Sequence, residues 1–312
     1  MVTQPSRRAF LTGRRTSATP WGQFCARLSR TCVGSVSWDQ EDQSTQAWLK
    51  PARPGDVMHA QALCRELGVQ FILMNSEAYP DPGRPILWID SRAEWAQLEL
   101  VDAAVGLWRA DAGVTLWSLH QQGVGIFSDT FDATHAHQTL AQWFASPFEG
   151  RLMHSGIVQA EVLLADGTLE MLGPFGASGS RPLKSLSLQK KIPSLFDLAQ
   201  SPQAALCAKY ENWPLRYRLD GLMPQSGDSL NLAWLFQGHG GSLAWLQALW
   251  LQIPTPASMA NETLPSLQNA VDPATVRQSA LELDQSIKQT LDPTGLFGRT
   301  LPAKGLESNP LT

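Results

Sequence analysis

From residue 50 onward, short apolar runs of strand length alternate with short helical patterns, and glycine or proline punctuates each pair. Pro51 to Pro54 reads as a turn, with Asp56 as the cap of a helix carrying Val57, Ala60, Leu63, Cys64 and Leu67 on one face. Gly68 ends that helix, and residues 69–74 read as a buried strand. A loop rich in proline and glycine leads to a second strand at residues 86–89, and residues 92–106 fit a short helix followed by a strand. The stretch ADAGVTLWSLHQQGVGIF, residues 110–127, reads as strand, a helix from Thr115 or Leu116 to Gln122, Gly123 beyond its end, and a strand at 124–127. Residues 138–145 form a short helix, and residues 158–164 a strand that turns through Ala165-Asp166-Gly167 into a partner at 168–172. Residues 173–230, rich in Gly, Pro and Ser, read as irregular. Residues 232–236 and 243–253 read as paired strands around a glycine-rich turn, and Asp272-Pro273 opens a last helix running to about Leu291.

Composition narrows the function classes. At 312 residues the chain can bury a sizeable core, and its net charge of −4 argues against nucleic acid or an anionic membrane as partner. Cysteines at 25, 32, 64 and 207 lack metal or redox spacing, which fits a reduced cytoplasmic protein. No apolar run is long enough to span a bilayer. The twelve tryptophans fit core and surface anchors better than an aromatic cofactor pocket. No GxGxxG, GxxxxGK[ST] or CxxC motif occurs.

Ser6-Arg7-Arg8-Ala9-Phe10-Leu11 matches the twin-arginine export pattern, but Gly13-Arg14-Arg15 and polar residues follow instead of an apolar region. Residues 1–40 are therefore expected to be an uncleaved, flexible basic arm with a short helix around residues 24–28.

Five stretches carry a family likeness. They are PARPGDVMHAQALCRELGVQFIL, ADAGVTLWSLHQQGV, GIVQAEVLLADGTLEMLG, WLFQGHGGSLAWLQALWLQIPTP and IKQTLDPTGLFGRTLP. In this order they resemble the FAD-linked oxidases of the vanillyl-alcohol oxidase / p-cresol methylhydroxylase (PCMH) type, nearest to the FAD-binding subunits of glycolate oxidase. The resemblance implies an α+β fold: a PCMH-type FAD-binding domain of two small α/β subdomains over residues 41–255. Residues 256–312 would be a C-terminal helix and tail, with the family's cap domain reduced to fewer than ~20 residues between Pro254 and Asp272. It also implies non-covalent FAD, held by backbone N–H groups of loops that form an anion-binding concavity.

By this resemblance the flavin loops are Met74, Asn75, Ser76, Glu77 and Ala78, then Ser128, then Thr139, Leu140, Ala141 and Gln142, and finally Ile157 and Val158. His239, inside the glycine turn, is the best-placed general base for oxidising a hydroxy acid, against an ordinary reading as a surface histidine. Both loops depart from the family pattern. Glycines of the first are absent, and a glycine pair of the second is Ala141-Gln142. Glu77 would repel a diphosphate, so Glu77 and Gln142 must turn outward if flavin is to fit. His135 and His137 could share one face of a strand, but no third ligand lies nearby and no metal is expected. Arg151 and His154 could face an anionic group, with a solvated loop as the equal alternative.

Two functions follow. One is a flavoprotein subunit of a multi-subunit dehydrogenase acting on a small 2-hydroxy acid. The other is a non-catalytic, flavin-free relative serving as an assembly or regulatory partner. The lost glycines favour the second.

Overall fold

The computed structural model describes residues 19–39, 44–92, 95–124, 133–148, 152–175, 182–210, 213–223, 230–252 and 272–301. Two sheets organise them. The first is built from β1 (Ser35–Trp38), β2 (Gln46–Lys50), β3 (Gln70–Leu73) and β4 (Ile86–Ile89), in the order β1-β2-β4-β3. Strand β4 pairs in parallel with both β2 and β3. Parallel neighbours need a crossover, and helix α2 (Pro54–Leu67) supplies it between β2 and β3. Gly68 ends α2 at φ +69°, as its sequence position predicts.

The second sheet runs β5-β6-β9-β7-β8 and is antiparallel throughout. Its strands are β5 (Leu98–Asp102), β6 (Leu107–Asp111), β7 (Ile157–Leu164), β8 (Leu169–Leu172) and β9 (Ala244–Gln252). Between β6 and β7 come α3 (Leu116–Gln121) and α4 (Leu140–Ala145). Thr115 and Thr139 cap these helices, each side chain accepting an N–H from the first turn. The two sheets meet where Phe71 of β3 packs edge-on against Trp245 of β9 and against Phe297. Gln61 of α2 adds a tie, its Nε2 donating to the Leu164 carbonyl at 2.8 Å. Two α/β units around a shared junction are thus the architecture, an α+β fold.

Three expectations are corrected. First, residues 20–38 do not belong to a flexible arm. Helix α1 (Pro20–Thr31) packs on α2 with Phe24 and Leu28 fully buried, and β1 completes the first sheet. Burying those two side chains is worth roughly 1.5–3 kcal/mol each and helps hold this twelve-residue helix in place. Asp56 then serves this junction instead of capping α2: its carboxylate accepts N–H groups from Val33, Gly34 and Ala52.

Second, residues 173–230 contain helices α5 (Leu186–Ala199) and α6 (Pro202–Cys207), capped by Ser185 and Ser201. Third, the run expected as a strand at 232–236 is a single helical turn, α7 (Leu232–Leu235), capped by Asn231. The last helix, α8 (Pro273–Leu291), starts on Asp272 as expected. It is not a separate appendage, because Val276, Ala280, Leu283, Ile287 and Leu291 join the common core beside α5 and α6. The strand expected at 124–127 lies mostly outside the described residues, as does Arg151.

Candidate functional site

Two of the segments expected to hold flavin, residues 74–78 and 139–142, meet at the junction of the two sheets. The first loop leaves β3 and turns through Asn75 at φ +57°, the one non-glycine residue with positive φ among those described. Asparagine tolerates that region, so a turn forms without glycine. The second segment is the start of α4. Gln142 connects the two: its Nε2 donates to the Met74 carbonyl at 3.1 Å, while its Oε1 accepts the Thr139 N–H at 3.0 Å.

The glycine turn between α7 and β9 closes over both. Gly238 and Gly240 donate to the Phe144 and Ala145 carbonyls at the end of α4. Gly241, at φ +84°, lies so close to the first loop that a Cβ there would sit 2.6 Å from Ser76 Oγ. Glu77 reaches the guanidinium of Arg216, whose side chain is buried. Arg216 also donates from Nε and Nη2 to the Leu301 carbonyl, each at 3.3 Å.

Ile157 and Val158 face α7. The Ile157 carbonyl accepts Trp234 Nε1 and the Val158 carbonyl accepts Asn231 Nδ2, both at 3.0 Å. Ser128, the remaining expected contact, lies outside the described residues.

His239 is neither a surface residue nor an accessible base. It is 2 % exposed, stacks edge-on near Phe144, and its Nδ1 accepts the Leu243 N–H at 3.3 Å. Burial, then the positive charges of Lys288 and Arg216, push its pKa down to about 3, so the ring is neutral and its position is structural. A second buried titratable group behaves in the opposite way. Asp284 accepts the N–H groups of Arg216 and Tyr217 at 2.9 and 3.1 Å. Burial drives its pKa up to about 7 even though those bonds and Arg216 oppose the rise. Lys288, half-turned into the same region, donates to the Ser242 carbonyl and to Asp292 at 2.6 and 2.7 Å. Nothing in the sequence pattern marked Arg216, Asp284 and Lys288, since Arg216 is far in sequence from α8, which carries the other two.

A diphosphate held by backbone needs N–H groups that the protein leaves free. Seven of the nine in residues 74–78 and 139–142 are already donated. Met74 donates to the Ile89 carbonyl, Ser76 to the Leu73 carbonyl, and Ala78 to Ser76 Oγ. Thr139 donates to Gln142 Oε1, Leu140 to the Val114 carbonyl, Ala141 to the Ala112 carbonyl, and Gln142 to Thr139 Oγ1. Glu77 and Gln142 turn inward to protein partners, where flavin requires them outward. As arranged here, the residues do not fit a flavin diphosphate.

Among the described residues no group of three or more His, Cys, Asp and Glu is placed to hold a metal ion, and no helix is long and apolar enough to cross a membrane. His135 ends a short 3₁₀ turn, Ala133–His135.

No family model matches the sequence, and no curated protein matches it. Solved structures of similar shape include an alkyldihydroxyacetonephosphate synthase, at 14 % identity and a TM-score of 0.40 over 67 % of this chain and 32 % of that one. A 4-ethylphenol oxidase from Gulosibacter chungangensis is similar at 15 % identity and a TM-score of 0.46, over 77 % and 44 %. The BBE-like 1 protein of Physcomitrella patens is similar at 11 % identity and a TM-score of 0.43, over 73 % and 44 %. The chain covers less than half the length of each of these three structures.

Proposed function

We propose that this chain is a subunit of the FAD-linked oxidase type, with FAD as the cofactor class and its flavin cradle closed in the state described. The observation that carries the reading is convergence. Residues 74–78, the start of α4, and the glycine turn at 238–241 are far apart in sequence. Yet Gln142 bonds to Met74, and Gly241 abuts Ser76. The five ordered sequence stretches support the same fold, and the nearest branch they resemble supports a small 2-hydroxy acid as the substrate of a multi-subunit dehydrogenase. With so little chain between β9 and α8, a partner subunit would supply the substrate wall. Four buried thiols, none in a disulfide, support a cytoplasmic location.

A second reading is favoured by the consumed N–H groups: a flavin-free relative that assembles with a catalytic chain. The visible spectrum separates the two. Protein expressed with ample flavin should be yellow and release FAD on denaturation under the first reading. A colourless preparation that stays colourless after incubation with FAD leaves the second.

A further inference from the structure

The closed cradle has an identifiable fastening. Arg216 is 5 % exposed, yet its guanidinium is paired with Glu77, a residue of the half-exposed first loop. A buried guanidinium is costly unless an anion meets it. Among the described residues Glu77 is the carboxylate seen in direct contact with that group, while Asp284 binds the backbone N–H of Arg216 and not its side chain. Glu77 belongs to the segment that resembles the family's first diphosphate loop. The chain therefore presents its own anion to a buried cation from the place where a cofactor anion would be expected.

The contacts around the pair all act to seat this loop. Ser76 sits against Gly241, Gln142 holds the Met74 carbonyl, and the Tyr79 N–H donates to the Arg299 carbonyl at 2.8 Å. The closed state is also incompletely satisfied. Gln237, fully buried one residue before the glycine turn, has neither its amide oxygen nor its amide nitrogen bonded. A buried amide without partners costs free energy that an opened, ligand-bearing arrangement can recover.

We infer that the Glu77–Arg216 ion pair is a latch: it clamps residues 74–78 onto the glycine turn, and Glu77 competes with the diphosphate of a flavin for Arg216. The competition rests on the flavin reading above; the clamp itself does not. Displacing Glu77 uncovers Arg216, so opening and anion binding are coupled. No covalent or redox step is involved.

The test uses the full chain as wild type and as Glu77→Gln, which removes the charge at nearly constant volume. Amide hydrogen exchange over residues 74–79 is measured without flavin, and FAD binding by quenching of flavin fluorescence. The latch requires faster exchange in the variant and FAD binding tighter by about tenfold, the change expected when an internal ion pair no longer competes. Unchanged exchange overturns the latch. Equal FAD affinity in both proteins overturns the competition. Faster exchange with no FAD bound by either protein supports the clamp and overturns the flavin reading instead.

Discussion

Gln142 bonds to both halves of the junction at once, holding the Met74 carbonyl through Nε2 and the Thr139 N–H through Oε1. One side chain thereby closes a capping box and joins α4 to the loop after β3. Gln142→Ala removes both bonds and leaves the Met74 carbonyl without this partner. The expected loss is about 1–3 kcal/mol of stability, read as a lower midpoint in urea with the slope unchanged. Gln142→Glu sets a carboxylate oxygen against the Met74 carbonyl and should cost at least as much as Gln142→Ala.

Asp56 is fully buried and accepts three backbone N–H groups and Arg53 Nε. Burial alone would raise its pKa; these four donors more than offset it and hold the carboxyl below its usual value. A depressed folded pKa stabilises the fold above the unfolded value, and the contribution is lost as pH falls through the folded pKa. Asp56→Ala strands the N–H groups of Val33, Gly34 and Ala52 and should cost about 3 kcal/mol. Its signature is position: proteolysis should begin at the α1–β1 connection.

His239 and Asp284 impose opposite pH slopes. With a folded pKa of about 3, His239 takes up protons in the unfolded chain first, so its contribution rises with pH between about 3 and 6.5. With a folded pKa of about 7, Asp284 takes up protons in the folded chain first, so its contribution falls with pH between about 4 and 7. In the shared window the two oppose each other. Denaturant titrations from pH 4 to 6.5 should tilt upward with pH in Asp284→Asn and downward in His239→Gln, relative to wild type. A tilt of the same sign in both variants would contradict the pairing.

Gly241 combines a φ of +84° with a neighbour only a hydroxyl away. Gly241→Ala should cost about 1–3 kcal/mol from backbone strain alone, before Ser76 moves. Ser76→Gly in the same protein relieves the clash but not the strain. Recovery of part of the lost melting temperature in the double variant, and no more, is the expected outcome.

Much of this fold was legible because single residues announced it. Gly68, Thr115, Asp272 and the Ala165-Asp166-Gly167 turn each sit where local backbone chemistry requires them. Helix α5 escaped because Pro193 lies inside it, although Leu188, Ile192, Leu195 and Ala199 recur at helical spacing. Helix α7 escaped because four apolar residues carry no period; Asn231 ahead of them was the available signal. Residues 74–78 and the start of α4, read as neighbouring loops, are in contact through Gln142. Their state was not legible. Whether Glu77 turns outward or inward depends on Arg216, and whether His239 is wet or dry depends on Phe144 and on charges contributed by α8. Such tertiary dependence leaves no trace in local spacing.

Strand β9 lies in the middle of its sheet, yet it is the last of the five strands in the chain. Leu107 of β6 pairs with Gln252, and Ile157 of β7 with Leu251, so neither neighbour can complete its ladder until residue 252 has been made. During synthesis two strand edges therefore wait open, across a stretch of chain long enough to make closure slow. The vulnerable moment for this protein falls during synthesis, before β9 is made: recovery from expression should depend on elongation rate and temperature more steeply than the folded protein's resistance to heat would suggest.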